Sequence, residues 1–152
     1  MAGNLLRWCS VVARTVARKE VLDIRRSYLL LYLLSKVGII DHDKLSRLVY
    51  IVSSELKEDL PFEYEFQHED GILFSQDLNE DLTKLARMGF IEMHVKVLDD
   101  VFNIRTHEYK LTKYGEEVAR RTGEELGERQ KDFDHLIEKC KRKLSEGNLF
   151  TR

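Results

Sequence analysis

Residues 74–121 read FSQDLNEDLTKLARMGFIEMHVKVLDDVFNIRTHEYKLTKYGEEVARR, and the fold turns on how this stretch is parsed. Ser75 stands where a helix cap belongs, and Leu78, Leu82, Leu85 and Ala86 then recur at helical spacing. Gly89 stops that helix. Phe90–Val97 and Phe102–Leu111 alternate as two strands, joined by Leu98, Asp99, Asp100 and Val101. Thr112 caps a further helix that begins KYGEEVARR. The order is helix, strand, hairpin, strand, helix.

Upstream, a basic amphipathic helix is expected over about Asn4–Lys19, with Leu5, Cys9, Val12 and Val16 on one stripe. A second, over about Leu22–Lys36, is almost wholly apolar at its centre and ends at Gly38. A third follows from Lys44 to about Lys57, capped by Asp41 or Asp43, with Leu45, Leu48, Val49, Val52 and Leu56 inward. Phe62, Tyr64 and Phe66 alternate with Glu63, Glu65 and Gln67, as in a short strand or extended segment, and His68–Gly71 reads as a turn. Gly123 and Gly127 weaken the last helix near its middle. Beyond them Phe133, Ile137, Cys140 and Leu144 form one apolar stripe, of the kind that pairs with a second subunit or folds back on the first helix, and a dimer interface is expected.

Read together, Asp41–Arg121 resembles the winged-helix superfamily. A helix ends in GFIE, a hairpin follows, and YKLTKYGEEVA opens the helix after the wing. More narrowly, KLSRLVYIVSSEL and FEYEFQHEDGILFSQDLNEDLTKLARMGFIE resemble the Panacea/YwgA-type prokaryotic winged-helix proteins. Lys44, Leu45, Leu48 and Tyr50 match that group's first helix, and Phe62–Phe66 match its aromatic–acidic alternation. The turn keeps Gly71 but lacks the group's Tyr and Pro. The resemblance implies a binding module of a regulatory, antitoxin-like or adaptor kind. The expected architecture is mainly helical with a small β-wing: a winged helix-turn-helix over 22–122, flanked by an N-terminal basic helix over 1–21 and a C-terminal helix over 123–152.

Charge is the counterweight. Net charge is only −2, but it is polarised. Met1–Lys36 holds seven bases against two acids, whereas Glu55–Asp81 holds ten acids and a single base, Lys57. A nucleic-acid regulator of this architecture would use Arg7, Arg14, Arg18, Lys19 and Arg25 on the basic helix, with Arg26 beside them, to follow phosphates. Gln76, Asn79, Lys84 and Arg87 would face bases and backbone from the helix before the hairpin, with Lys96 and Arg105 on the wing. Asp77, Glu80 and Asp81 oppose that use, since they would meet a phosphate wall. The same three carboxylates, at a helix N-terminus, also complement its dipole. The alternative is a protein-interaction module that docks a basic partner on Asp77, Glu80 and Asp81, without binding DNA.

Other classes find little support. His42, His68, His94, His107 and His135 show no metal-ligand spacing, and Asp41-His42-Asp43 reads as a capping turn. Neither a phosphate-cradling glycine loop nor a nucleophile elbow is present, so a non-enzymatic protein without cofactor or metal is expected. Two widely separated cysteines, Cys9 and Cys140, suit a reducing, cytoplasmic compartment. No apolar run reaches membrane-spanning length, and abundant Lys, Arg and Glu with little Gln and Asn hint at a thermophile.

Overall fold

The computed structural model describes residues 24–56 and 60–146. The expected helix over Asn4–Lys19, with Arg7, Arg14, Arg18 and Lys19, lies outside the described residues. Those described form a mostly helical body of five helices with a small antiparallel sheet.

Helix α1 (Arg26–Val37) is the axis of the core, with Leu29–Leu34 buried without interruption. A helix apolar on all sides must be covered on all sides. It ends at Gly38, whose positive φ of 75° turns the chain and whose N–H donates to the Leu34 carbonyl. A two-residue strand, β1 (Ile40–Asp41), leads into α2 (His42–Glu55). Asp41 is the cap, its carboxylate accepting from the Lys44 N–H at 2.9 Å. Leu45, Leu48, Val49 and Val52 are buried as their spacing requires.

Residues 61–66 are extended but pair with no strand among the described residues. Phe62 and Tyr64 turn inward while Glu63 and Glu65 stay exposed, so the alternation holds without a ladder. Where the sequence suggested only a turn, β2 (Gln67–Glu69) and β3 (Ile72–Phe74) form a short hairpin. Asp70 and Gly71 both take positive φ, 53° and 77°, the combination a tight two-residue hairpin demands.

Helix α3 (Gln76–Arg87) is capped by the Ser75 hydroxyl and buries Leu78, Leu82 and Leu85. Strands β4 (Ile91–Asp99) and β5 (Ile104–Leu111) follow, and the sheet order is β1-β5-β4. Helix α4 (Lys113–Leu126) then packs on α1, and α5 (Arg129–Glu146) on α2. The Thr112 side chain ties the sheet's root together. Its hydroxyl donates to the Gly89 carbonyl at 2.6 Å and accepts from the Gly115 N–H at 3.1 Å.

Gly115 is required by this closeness, since a Cβ there would meet the Phe90 carbonyl oxygen at 2.0 Å. Gly115→Ala must push α4 off the hairpin's root and is expected to cost about 2 kcal/mol, in the range of core overpacking. Chemical denaturation measures it, and an unchanged midpoint would show that α4 docks more loosely.

Two sequence expectations are corrected at the C-terminus. The boundary placed at 122/123 falls inside α4, where Thr122 and Gly123 are buried; of the two glycines expected to weaken this helix, it is Gly127 (φ 59°) that ends it. The stripe assigned to a dimer interface is core: Phe133, Ile137 and Cys140 are at most 1% exposed, and Leu144 is half-buried against them. Phe133 stacks on Tyr32 of α1 and meets Phe62 edge-on. The α5 helix is fixed further by Lys139 and Lys143, which both pair with Glu55 of α2.

Candidate functional site

Helix α3 carries three acids near its start, and the structure treats them unequally. Arg26, at the first position of α1, reaches across to two of them. Its Nε lies 3.0 Å from Asp81 and one terminal nitrogen 3.3 Å from Asp77. The same nitrogen donates to the Glu63 carbonyl at 3.0 Å, and the guanidinium lies over the Tyr64 ring, 4.3 Å from its centroid. The Tyr64 hydroxyl donates to Asp81 at 2.7 Å. Asp81 is only 7% exposed, so this carboxylate is an interior group with two partners.

Burial alone would raise the Asp77 carboxyl. Hydrogen bonds from Ser75, from the Glu65 backbone and from its own N–H, together with Arg26, outweigh that and hold it below the ordinary carboxylate value. Burial drives the Tyr64 phenol up, and its bond to Asp81 adds to this, so it stays a donor. Sequence reasoning missed this network. Arg26 was grouped with the phosphate-following bases, whereas here it is the counter-ion of α3.

The expected partner surface is corrected accordingly. Asp81 is buried and Asp77 is half-buried, the two sharing the single charge of Arg26, which leaves Glu80 the one fully exposed acid of the three, accepting from Gln76 at 3.1 Å. The outward face of α3 is then Gln76, Asn79, Glu80, Thr83, Lys84 and Arg87, which together line one shallow groove. Lys84 also borders a second depression with Arg25 and Pro61. Arg25 is exposed, with its guanidinium 5.8 Å from the Tyr28 ring centroid. Arg105 is exposed, donating to Asn103 at 2.9 Å. Lys96 is already engaged on the sheet's other face, 3.6 Å from both Asp41 and Glu108. The structure thus brings Gln76, Asn79, Lys84 and Arg87 into one groove and sets Arg25 beside Lys84. Lys96 stands apart from them.

Between α3 and the β4–β5 hairpin runs an open cleft of about 550 Å³. Leu82, Met93 and Val95 supply apolar walls, and Asn79, Arg105 and His107 supply polar ones. At its floor His42 Nδ1 lies 2.8 Å from the Tyr109 hydroxyl, with Ser46 Oγ 3.5 Å from Nε2. Burial pushes the Tyr109 phenol up to about 12, so it donates and His42 Nδ1 accepts.

Burial also lowers the His42 imidazole from its ordinary 6.5, and nearby His107 adds to this against Asp43 and Asp41. With the folded value below the unfolded one, the unfolded chain takes up the proton first. The stability held by neutral His42 is complete above about pH 6.5 and is lost as pH falls from there through the lower folded value. His42→Gln is therefore expected to flatten the denaturation midpoint over that window. Losses from Asp77 and Glu55, both held below ordinary carboxylate values, belong to more acidic pH. An unaltered pH profile would remove His42 from the account.

Among the described residues no helix is long and apolar enough to cross a membrane. Comparison with protein-family models, with curated protein sequences and with solved structures finds no match for this chain.

Proposed function

We propose that this chain is a non-enzymatic winged-helix regulator that binds nucleic acid, with α3 as the reading helix and the β4–β5 hairpin as the wing. The order α1, β1, α2, the short β2–β3 hairpin, α3 and the β4–β5 hairpin, with the sheet order β1-β5-β4, supports that reading. The observation that carries it is the capture of Asp77 and Asp81 by Arg26. It offsets one of their two charges and turns Asp81 inward, so that Glu80 is the one fully exposed acid left on the outward face of α3. What faces outward is Gln76 and Asn79, suited to adenine edges, and Lys84 and Arg87, suited to phosphates or guanine. The cationic segment holding Arg7, Arg14, Arg18 and Lys19 adjoins Arg25 in sequence and supplies further phosphate-directed charge.

The test is a titration onto duplex DNA and structured RNA at about 50 and 200 mM salt. Binding should weaken steeply with salt. Lys84→Ala and Arg87→Ala should each lower the salt slope by about one. Salt-insensitive binding, or slopes untouched by both substitutions, would reject α3 as the interface. The competing reading is a protein-interaction module. It draws on exposed Glu63, Glu65, Glu69 and Asp70, rather than on Asp77 and Asp81. Loss of partner capture on reversing Glu65 and Glu69 to lysine, without nucleic-acid binding by the native chain, would favour it.

A further inference from the structure

Strand β4 is an outer strand of its sheet: β5 pairs with one side of it, and no strand among the described residues pairs with the other. Unpaired edges are normally blunted by shortness, by inward charge or by proline. This edge is long and carries no proline and no inward charge over Ile91–Val97; what blunts it is the outward Lys96 and the irregularity between Val97 and Asp99 that ends the regular run. On the face shared with Tyr109 and His107 stand Met93, Val95 and Val97, exposed at 37%, 58% and 47%. On the other face stand Glu92, His94 and Lys96. The wing therefore shows solvent an apolar stripe backed by a charged one.

We infer that this edge pairs antiparallel with the same strand of a second copy of the chain, across a two-fold axis at His94. The register selects itself. Residues opposed in an antiparallel ladder project to the same face, so only pairings of like parity keep apolar with apolar. The midpoint of Ile91–Val97 is His94. Pairing about it sets Ile91 against Val97, Glu92 against Lys96 and Met93 against Val95 of the second copy, each twice by symmetry. Every position off the axis then meets a complementary one, and His94 meets its own copy. Shifting the axis to Val95 sets His94 against Lys96 and Ile91 against Asp99. Shifting it to Met93 leaves Lys96 without a carboxylate opposite.

Glu92 and Lys96 are both partly exposed, their side chains at 51% and 40%. Glu92 contacts His94, and Lys96, which now pairs with Asp41 and Glu108, would add Glu92 of the second copy to them. Strand pairing alone gives a small interface, so the dimer is of the weak, concentration-dependent kind. The inference is independent of nucleic-acid binding.

The register makes the test specific. In a Cys9→Ser background, His94→Cys should cross-link with itself under mild oxidation, because the two-fold brings residue 94 against its own copy within disulfide reach. Glu92→Cys and Lys96→Cys should each fail alone and cross-link when mixed. In parallel, Glu92→Lys should abolish the concentration-dependent rise in mass measured by light scattering on the full chain. Mixing it with Lys96→Glu should restore that rise, since each lysine then faces a glutamate. Circular dichroism confirms that the variants fold. A native chain monomeric at all concentrations, or cross-linking equal at all three positions, would overturn the inference.

Discussion

Phe133→Ala is expected to lower stability by about 4 kcal/mol, the cost of removing a large aromatic from a packed core. The side chain is 1% exposed, lies between Tyr32 and Phe62, and is the main weld between α5 and the rest of the chain. Its ring is parallel to that of Tyr32, with centroids 5.8 Å apart. The Tyr32 hydroxyl in turn donates to Asp134, on the same turn as Phe133. Losing the ring leaves a cavity that α1 and α5 cannot close, because both are held by these polar ties. The measurement is a urea midpoint at two protein concentrations, with the slope checked for constancy. A loss independent of concentration is expected of a core residue. A loss that grows on dilution would return Phe133 to a subunit interface.

Arg26→Met should cost about 3 kcal/mol, near the lower end for breaking a buried ion pair because the guanidinium is about one-third exposed. The methionine keeps much of the stem's volume but leaves Asp81 buried with only the Tyr64 hydroxyl. Replacing both members of the pair is different. Arg26→Met with Asp81→Asn should recover much of the loss, since the orphaned charge goes too. If the double variant is as unstable as the sum of the singles, the two side chains are not coupled and the network is incidental. The single variant also leaves Asp77 and Asp81, at the start of α3, without their counter-ion. Its nucleic-acid binding should therefore fall even where it remains folded.

The sequence carried the local structure well. Ser75 and Thr112 each sit at the head of an apolar stripe and each is the cap its position promised, while of the two candidates Asp41 and Asp43 it is Asp41 that caps. Caps and stripes are decided within a few residues, so they can be read without knowing the rest. The hairpin at Gln67–Phe74 was passed over because Gln67, His68 and Glu69 are all exposed and show no alternation. Its one signal was the Asp70-Gly71 pair. The orientation of Asp77 and Asp81 is set by Arg26, 51 and 55 residues away, and no local pattern encodes that choice. The α5 stripe fails for another reason. A single apolar face has the same period whether it covers its own chain or another, and only the packing of Phe62 and Tyr32 decides which. The site was thus half visible: its residue types could be read, but the pairing of Asp77 and Asp81 with Arg26 could not.

The knot at Thr112 has a mechanical consequence. The two strands of the hairpin leave the body side by side, at Ile91 and Leu111, and both roots are gripped there. The Thr112 N–H holds the Phe90 carbonyl, its hydroxyl holds Gly89, and α4 starts so close that no Cβ fits at Gly115. A lever clamped at its base cannot swivel there. Displacement of the far end is carried into α4 and through it to α1, while compliance is confined to the stretch beyond Val97, where the ladder loses its regularity. The hairpin is stiff at the shoulder and soft at the fingertip, so whatever it touches is felt by the helices that hold the core.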